Sequence, residues 1–241
     1  MSALWLAWLF ACDRGQEPIP TGEPIAAYDP LPWVDPFIAT GGPGAKIASV
    51  NPGAAWPFGL VQAGPATRSN IEAPWQHCAG YFYDDPYIVA FAHTYVHGMG
   101  VTDMGGVAVM PKSGWDPAYT RLRDRKSPFF HDRESASPGY YQVELPEDRV
   151  NVELTVTPHG ALHRYTFEAG TAAPVVLFDL GYTNSTQDRV DESWIEVDAA
   201  TGRVQGYQRL VGNYSGRFGG AKHHFVAVLD PAPIAAGTWD D

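Results

Sequence analysis

The chain has 241 residues, of which 45% are hydrophobic and 18% are charged. This balance is typical of a folded globular protein, and the length fits one large β domain or two small ones. The formal net charge of −11 argues against a nucleic-acid partner, because an acidic protein repels a polyphosphate.

The N-terminal end predicts an export signal. Residues 1–11 form an apolar run that is too short to span a bilayer and is typical of the hydrophobic part of a signal peptide. Residues 9–12 resemble the processing box of bacterial lipoproteins, with Cys12 as the lipidated residue. The alternative is an ordinary export signal behind a misplaced start codon. Both alternatives predict a periplasmic or cell-surface protein, whose only membrane contact would be a lipid anchor.

Residues 13–32 follow the signal segment, residues 1–12, and predict an extended tether. They contain five Pro residues among small and polar ones, a composition that disfavours regular structure. The folded body is expected to occupy residues 33–241. Cys78 would then have no disulfide partner in the mature chain, so the fold is expected to depend on its hydrophobic core.

From residue 33 onward the sequence predicts β-strands. Residues 150–157 alternate between apolar and polar side chains, and residues 161–167 follow after a Pro-His-Gly turn, so the two runs predict a hairpin. Residues 175–178 are apolar throughout, as in a strand covered on both faces. We expect further strands at residues 60–63, 88–92, 107–110, 140–145, 203–209 and 223–229. The 25 Gly and 21 Pro residues predict many turns, and we expect an all-β sandwich or barrel without long helices.

Residues 75–111 concentrate Trp, His, Tyr and Asp residues among Gly and Pro turns. Because binding groups gather on loops of a rigid scaffold, this segment predicts the functional edge of the domain. His93 and His97 are four residues apart, a spacing that permits a shared metal ion. The Gly residues that follow them argue against a helix, so loop-stabilising hydrogen bonds are the favoured interpretation for both.

Several motifs together resemble the N-terminal domain of glycoside hydrolase family 92. They occur at residues 34–38 (Val-Asp-Pro-Phe-Ile), 57–62, 75–111, 137–141 (Ser-Pro-Gly-Tyr-Tyr) and 163–167, so the resemblance covers nearly everything from residue 33 onward. Members of this family are bacterial exo-acting α-mannosidases that depend on calcium and invert anomeric configuration. The resemblance implies an antiparallel β-sandwich of the supersandwich type with long loops.

The resemblance also implies a C-terminal catalytic domain as the partner of this one. In the family, a helical toroid carries the general acid, the general base and the calcium ion. We therefore predict no catalytic residue, metal ligand or cofactor in residues 1–241, and we expect this chain not to hydrolyse glycosides by itself. The sequence ends about where the family's linker to the toroid would begin.

The resemblance nominates three substrate-binding residues for a mannose-containing glycan. Trp75 matches a family Trp that lines the sugar pocket, where an indole packs on the C–H face of a sugar; the alternative is a half-buried wall residue. His93 matches the family loop motif, whereas His97 stands where that motif has Ser. Asp103 also matches, either as an acceptor for sugar hydroxyls or as an Asx turn that holds the loop.

Two other functions remain open at this point. The chain could be a free-standing carbohydrate-binding or surface interaction module, or a scaffold without ligand contacts. If instead the domain docks on a catalytic domain, we expect a large exposed apolar surface, because such surfaces mark interfaces.

Overall fold

The computed structural model describes residues 29–42, 47–67, 77–98 and 100–240. Trp33–Asp241 form one compact unit. Cys12, the signal segment and Trp75 lie outside the described residues, so their predictions stay predictions. In the part of the chain that is described, no helix is long and apolar enough to cross a membrane.

All paired strands in the described ranges are antiparallel and form three sheets. The first sheet has the order β1-β2-β3-β4-β10, with β5 paired to β3; the second is β6-β7-β8-β9, and the third is β11-β12-β13. The strands are β1 (Ala54–Ala55), β2 (Gln62–Thr67), β3 (Tyr87–Ala92), β4 (Ala108–Lys112), β5 (Ser127–Pro128), β6 (Glu134–Ser137), β7 (Tyr140–Leu145), β8 (Val150–Val156), β9 (Ala161–Phe167), β10 (Val175–Asp179), β11 (Arg189–Asp198), β12 (Arg203–Val211) and β13 (Ala221–Val228). The described residues also contain short 3-10 turns at Leu31–Trp33, Pro117–Thr120, His131–Arg133 and Ser215–Phe218.

The first and second sheets pack face to face as a sandwich. Strands β7 and β8 bury every second side chain, as their alternating sequence requires. The buried side chains meet a matching apolar face on the first sheet, and together they form the main core. Its fully buried members include Ala63, Ile88, Phe91, Met110, Tyr141, Val143, Leu145, Val152 and Leu154. The predicted all-β antiparallel sandwich is confirmed.

The hairpin predicted at residues 150–167 is confirmed, with Val156 paired to Ala161. The other predicted strands agree with the observed ones to within two residues, except that β2 continues four residues further, to Thr67. Strand β10 is less buried than predicted, since Leu177 is buried while its neighbours are half-buried. Leu177 packs in the main core, and Phe178 stacks on Phe225 of β13 with 6.3 Å between ring centroids. Strand β11 is mostly exposed and has too few apolar residues to be recognised from its sequence.

A buried ion pair joins the two sandwich sheets. Lys112 ends β4, and its Nζ donates to Asp148 Oδ2 at 2.8 Å in the turn between β7 and β8; the two side chains are 6% and 4% exposed. The same ammonium donates to Ser127 Oγ at 3.2 Å and to the Arg125 carbonyl at 3.3 Å. Since a buried charge is tolerated only when it is paired, this contact fixes the separation of the sheets at one end.

Substituting Lys112 should therefore destabilise the fold. In Lys112→Met, the Asp148 carboxylate is left buried without a cation, and we expect the free energy of unfolding to fall by about 3–5 kcal/mol in urea denaturation. The double variant Lys112→Met/Asp148→Leu removes both charges and should recover at least half of that loss. A double variant that is no more stable than Lys112→Met would contradict this account of the pair.

Candidate functional site

Residues 93–106 form a hairpin-like loop between β3 and β4. Tyr95 bridges Met104, and the backbone N–H of Gly105 donates to the Thr94 carbonyl at 3.2 Å. Near the tip, the Gly98 N–H donates to the Ser49 carbonyl at 2.6 Å. Gly105 has a φ of +78°, and a Cβ there would meet Asn184 Oδ1 at 2.6 Å, so glycine is required at this position. The loop is thus held by Ser49 near its tip and packs closely against Asn184 at Gly105.

Asp103 is buried at the base of this loop and clamps a distant turn. Its Oδ2 accepts from the backbone N–H groups of Tyr214 and Ser215, both at 2.7 Å. Its Oδ1 accepts from the Ser215 hydroxyl at 2.9 Å and from Met104 N at 2.8 Å. A carboxylate has about four acceptor positions, so a sugar hydroxyl would have to displace one of these donors. The sugar contact predicted for Asp103 stays a prediction.

His93 lies in a chain of hydrogen bonds inside the sandwich. Its Nδ1 is 2.6 Å from the Val107 carbonyl, its Nε2 is 2.8 Å from His163 Nε2, and His163 Nδ1 is 2.7 Å from the Tyr165 hydroxyl. A carbonyl only accepts, so His93 Nδ1 carries a proton and His93 Nε2 accepts from His163. The Tyr165 hydroxyl then donates to His163 Nδ1. This bond of His93 confirms the loop-stabilising role expected for it, and its contact with sugar stays a prediction.

Both imidazole rings in this series of hydrogen bonds, those of His93 and His163, are held neutral. Burial lowers the pKa of His93, an effect partly offset by the bond to Val107. Burial, and secondarily the neighbouring His93, lower the pKa of His163 well below its usual value. Protonating either ring would remove an acceptor that the hydrogen-bond chain requires.

A surface groove of about 310 Å³ lies beside the loop. Its lining comes from four parts of the chain: residues 34–38, residues 50–55, His97 in the loop, and residues 137–139 at the end of β6. Its described lining residues are Val34, Asp35, Pro36, Ile38, Val50, Asn51, Gly53, Ala55, His97, Ser137, Pro138 and Gly139. Two of the sequence motifs, 34–38 and 137–141, therefore meet here together with His97 from the motif at 75–111. Sequence reasoning identified each motif but could not show that they converge.

His97 differs from His93 in having an unused ring nitrogen. Its Nε2 is buried and has no hydrogen-bond partner among the described residues, and burial lowers the pKa of the ring. The loop-stabilising bond expected from this nitrogen is therefore not found. By contrast, Asn51 is fully engaged, because its Nδ2 donates to the carbonyls of Pro65 and Ala79 and its Oδ1 accepts from Gly53 N.

A second cavity of the described chain holds a carboxylate that is already bonded. This cavity of about 280 Å³ includes Asp179, and that carboxylate is bonded to Arg125 and to the Gly181 N–H. Within the described ranges, no group of three or more His, Cys, Asp or Glu side chains could hold a metal ion. The groove beside His97 is therefore the candidate site.

The chain is an antiparallel β-sandwich domain with a candidate site in a groove beside the loop between β3 and β4. Residues 33–241 match the family model described as the glycosyl hydrolase family 92 N-terminal domain. The chain therefore belongs to glycosyl hydrolase family 92 and contains its N-terminal domain. No curated protein matches this chain.

Solved structures of the same family agree. The alpha-mannosidase BT3965 from Bacteroides thetaiotaomicron, solved in complex with mannoimidazole, is 27% identical with a TM-score of 0.64, over 76% of this chain and 23% of that one. The family 92 glycosyl hydrolase ccman5 is 26% identical with a TM-score of 0.64, over 82% of this chain and 25% of that one. The inverting mannosidase BT2199 from the same Bacteroides species is 22% identical with a TM-score of 0.55, over 73% of this chain and 22% of that one, and supports the fold alone. This chain thus spans about a quarter of the length of these enzymes.

The buried His residues predict a loss of stability in weak acid. Burial is the main cause that lowers the pKa of His93, His97, His163 and His223 in the folded protein, whereas in the unfolded chain a His titrates near about 6.5. The unfolded state therefore binds more protons below that pH. Stability should be complete above about pH 6.5 and should fall as the pH drops, by up to about 1.4 kcal/mol per pH unit for each group.

Urea denaturation between pH 5 and 8 checks this pH dependence. His163→Gln keeps a donor and an acceptor in the hydrogen-bond chain but removes one titrating ring, so its slope below pH 6.5 should be shallower than that of the wild type. Glu153 adds little to this slope. Its pKa is lowered to about 2, so the stability that it contributes is lost below the pH range of the measurement. Identical slopes for both proteins would show that the ring of His163 is not held neutral.

Asp103→Asn should loosen the turn after β12. The introduced amide would present an NH₂ group to backbone donors, and we expect a loss of about 1–3 kcal/mol in the free energy of unfolding. Ser215→Ala removes one of the four bonds to Asp103 together with the bond that the Ser215 hydroxyl accepts from the Gly212 N–H, and should cost about 1–2 kcal/mol. In hydrogen exchange, the Tyr214 and Ser215 amides should exchange faster in Asp103→Asn; unchanged rates would contradict the clamp.

Proposed function

We propose that this domain forms one wall of the carbohydrate-binding pocket of an exported alpha-mannosidase. The observation that supports this most strongly is the convergence of three separate sequence motifs on one groove, which holds His97 at its edge. The groove combines apolar side chains with a few polar ones, and its described lining includes no Lys or Arg. Such a lining suits an uncharged ligand that has both C–H faces and hydroxyl groups.

Hydrolysis itself we assign to a second domain. An inverting mechanism needs two carboxyl groups about 6.5–9.5 Å apart with a water between them and the sugar. The groove contains one carboxylate, Asp35, among its described lining residues. The general acid, the general base and the calcium ion therefore belong, in this proposal, to the helical toroid that the family resemblance implies. Export through the signal segment, with lipidation at Cys12, is part of the same proposal.

The exposed apolar residues support docking on such a second domain. Between residues 33 and 60, seven large apolar side chains are exposed: Trp33, Val34, Ile38, Ile47, Trp56, Phe58 and Leu60. Val34 and Ile38 also line the groove. Phe58 is fully exposed with a φ of +60°, a conformation that is uncommon for a bulky residue. Large exposed apolar surfaces mark interfaces, and we infer that the toroid covers these residues.

The sugar site can be tested on the isolated chain with methyl α-D-mannopyranoside. Saturation-transfer NMR should detect binding with a dissociation constant of about 1 mM or weaker, since only one wall of the pocket is present. Ser137→Tyr inserts a ring into the groove and should abolish the signal. Trp75→Ala, which tests the nominated indole, should weaken it.

Ser135→Tyr is the matched control. Ser135 is exposed on the same strand, β6, but it does not line the groove, so this variant should bind as the wild type does. The proposal is wrong if the wild type gives no signal at 100 mM sugar, a concentration about a hundred times 1 mM. It is also wrong if both Tyr variants bind equally well.

A further inference from the structure

We propose that His131 is a doubly protonated positioning residue whose imidazolium ring ties together two segments that form walls of the groove. One ring nitrogen is bonded to the carboxylate of Glu134 on β6, the strand that ends at the groove residue Ser137. The other is bonded to the carbonyl of Tyr83, whose own amide is bonded to the wall segment, residues 34–40. His131 does not itself line the groove, so this role holds whatever ligand the groove takes.

The carboxylate of Glu134 is buried and needs partners for its charge. Its side chain is 1% exposed. Oε1 accepts from the Tyr141 hydroxyl at 2.6 Å, and Oε2 accepts from the Tyr81 hydroxyl at 3.0 Å. Both phenols keep their protons, because burial, and next the neighbouring Glu134, raise their pKa. Two O–H donors stabilise an ionised carboxylate, but a buried charge also requires a counterion.

His131 supplies this counterion. Its Nδ1 is 2.8 Å from Glu134 Oε2, and its Nε2 is 2.8 Å from the Tyr83 carbonyl oxygen. A carbonyl and an ionised carboxylate only accept hydrogen bonds, so both ring nitrogens have to donate, and an imidazole that donates from both nitrogens is positively charged. In the described part of the chain, no other side chain forms an ion pair with Glu134.

The other charged groups near the ring leave this assignment unchanged. In the same turn, Arg133 is paired with a carboxylate on β7 at 2.9 Å, and Asp132 is exposed. On the segment that faces the ring, Asp84 is exposed, whereas Asp85 is buried and bonded to His77. Water and salt screen the two exposed carboxylates, and their charge would favour a cation rather than oppose it.

The ring is positioned to fix the wall segment through Tyr83. It lies flat on the Tyr83 ring, with centroids 3.8 Å apart and planes 6° apart, an arrangement that a cation stabilises. Tyr83 meets Phe37 edge to face at 6.1 Å, and its N–H donates to the carbonyl of the buried Thr40 at 2.8 Å. A Cβ on Gly41 would come within 3.0 Å of the Tyr83 nitrogen. Tyr83 therefore cannot move without moving the segment that lines the groove.

NMR of the full chain with ¹⁵N-labelled histidine rings tests the protonation state. At pH 7.5 an unperturbed His is mostly neutral, as this ring should be in the same chain unfolded in urea. In the folded wild type, more than half of the His131 rings should carry a proton on both nitrogens, with the signals assigned through contacts to the stacked Tyr83 ring. Glu134→Gln keeps the shape but removes the charge, so there the ring should be neutral. A mostly neutral ring in the folded wild type would overturn the proposal, as would a Glu134→Gln variant whose ring stays charged.

Hydrogen exchange tests whether the ring positions the wall. His131→Phe keeps a ring on Tyr83 but removes both donors and the charge, so the Tyr83 amide should exchange about tenfold faster. Asp132→Asn is the matched control, because this exposed neighbour in the same turn contacts neither Glu134 nor Tyr83 in the structure; its Tyr83 amide should exchange as in the wild type. Equal rates in the wild type and His131→Phe would show that the ring does not hold the wall.

A double variant separates the charge from the stacking. His131→Phe leaves the buried Glu134 carboxylate without a cation, whereas His131→Phe/Glu134→Gln removes both charges. In urea denaturation, the double variant should have an unfolding constant at least about tenfold smaller than the two single effects multiplied together predict. Single effects that simply multiply would contradict the pairing. If either variant fails to fold, the wild-type ring signal, compared with that of the unfolded chain, still decides the proposal. None of these measurements uses a sugar, so a failure of the proposed function leaves this inference standing.

Discussion

A loop that is buried between sheets must find hydrogen-bond partners for its backbone, and this constraint organises the functional edge of the domain. Residues 93–107 cannot form a regular ladder, because their glycines and left-handed residues interrupt it. Some of their backbone groups pair with other backbone groups, such as Gly105 N with the Thr94 carbonyl, and others find side-chain partners. Gln208 on β12 accepts the Val107 N–H at 2.8 Å, and Asn213 donates to the Thr102 carbonyl at 3.1 Å.

These partners lie more than 100 residues further along the chain. The third sheet and the turn after β12 therefore hold the loop from one side, while the first sheet holds it from the other. Gly212 shows how close this approach is, since a Cβ there would meet Asp103 Oδ1 at 2.3 Å. The backbone at the end of β12 therefore packs directly against Asp103 of the loop. This contact helps to fix the conformation of the loop that carries His97.

The sequence predicted those parts of the fold in which each residue's environment follows from its immediate neighbours. Strands β7, β8 and β9 alternate because one face is buried and the other is wet, and their periodicity is visible without any tertiary information. Strand β11 depends on pairing with β12 rather than on burial, so no local pattern marks it. Edge position likewise explains why the apolar run of β10 is only half-buried.

The site was less accessible to sequence reasoning because its geometry is non-local. Neither role considered for Asp103 includes its bonds to the backbone of Tyr214 and Ser215, which lie 111 and 112 residues further along the chain. For His93, the decisive partner His163 lies 70 residues away. The motifs themselves were recognisable, but the groove exists only where the turn after β6 meets the stretch beginning at Val34.

Unpartnered buried nitrogens occur elsewhere in the described chain, and they clarify why His97 is different. Gln208 Nε2 and His223 Nδ1 also lack partners, but both lie 3.0 Å from the position that a Cβ on Gly106 would occupy. The loop backbone fills that space, so no ligand could enter, and these groups are an energetic consequence of close packing between the loop and the third sheet. His97 lies at the other side of the same loop, where the packing ends and the groove begins. Close packing of the loop on the third sheet therefore accounts for the unpartnered nitrogens of Gln208 and His223, whereas the residue His97 lines the groove.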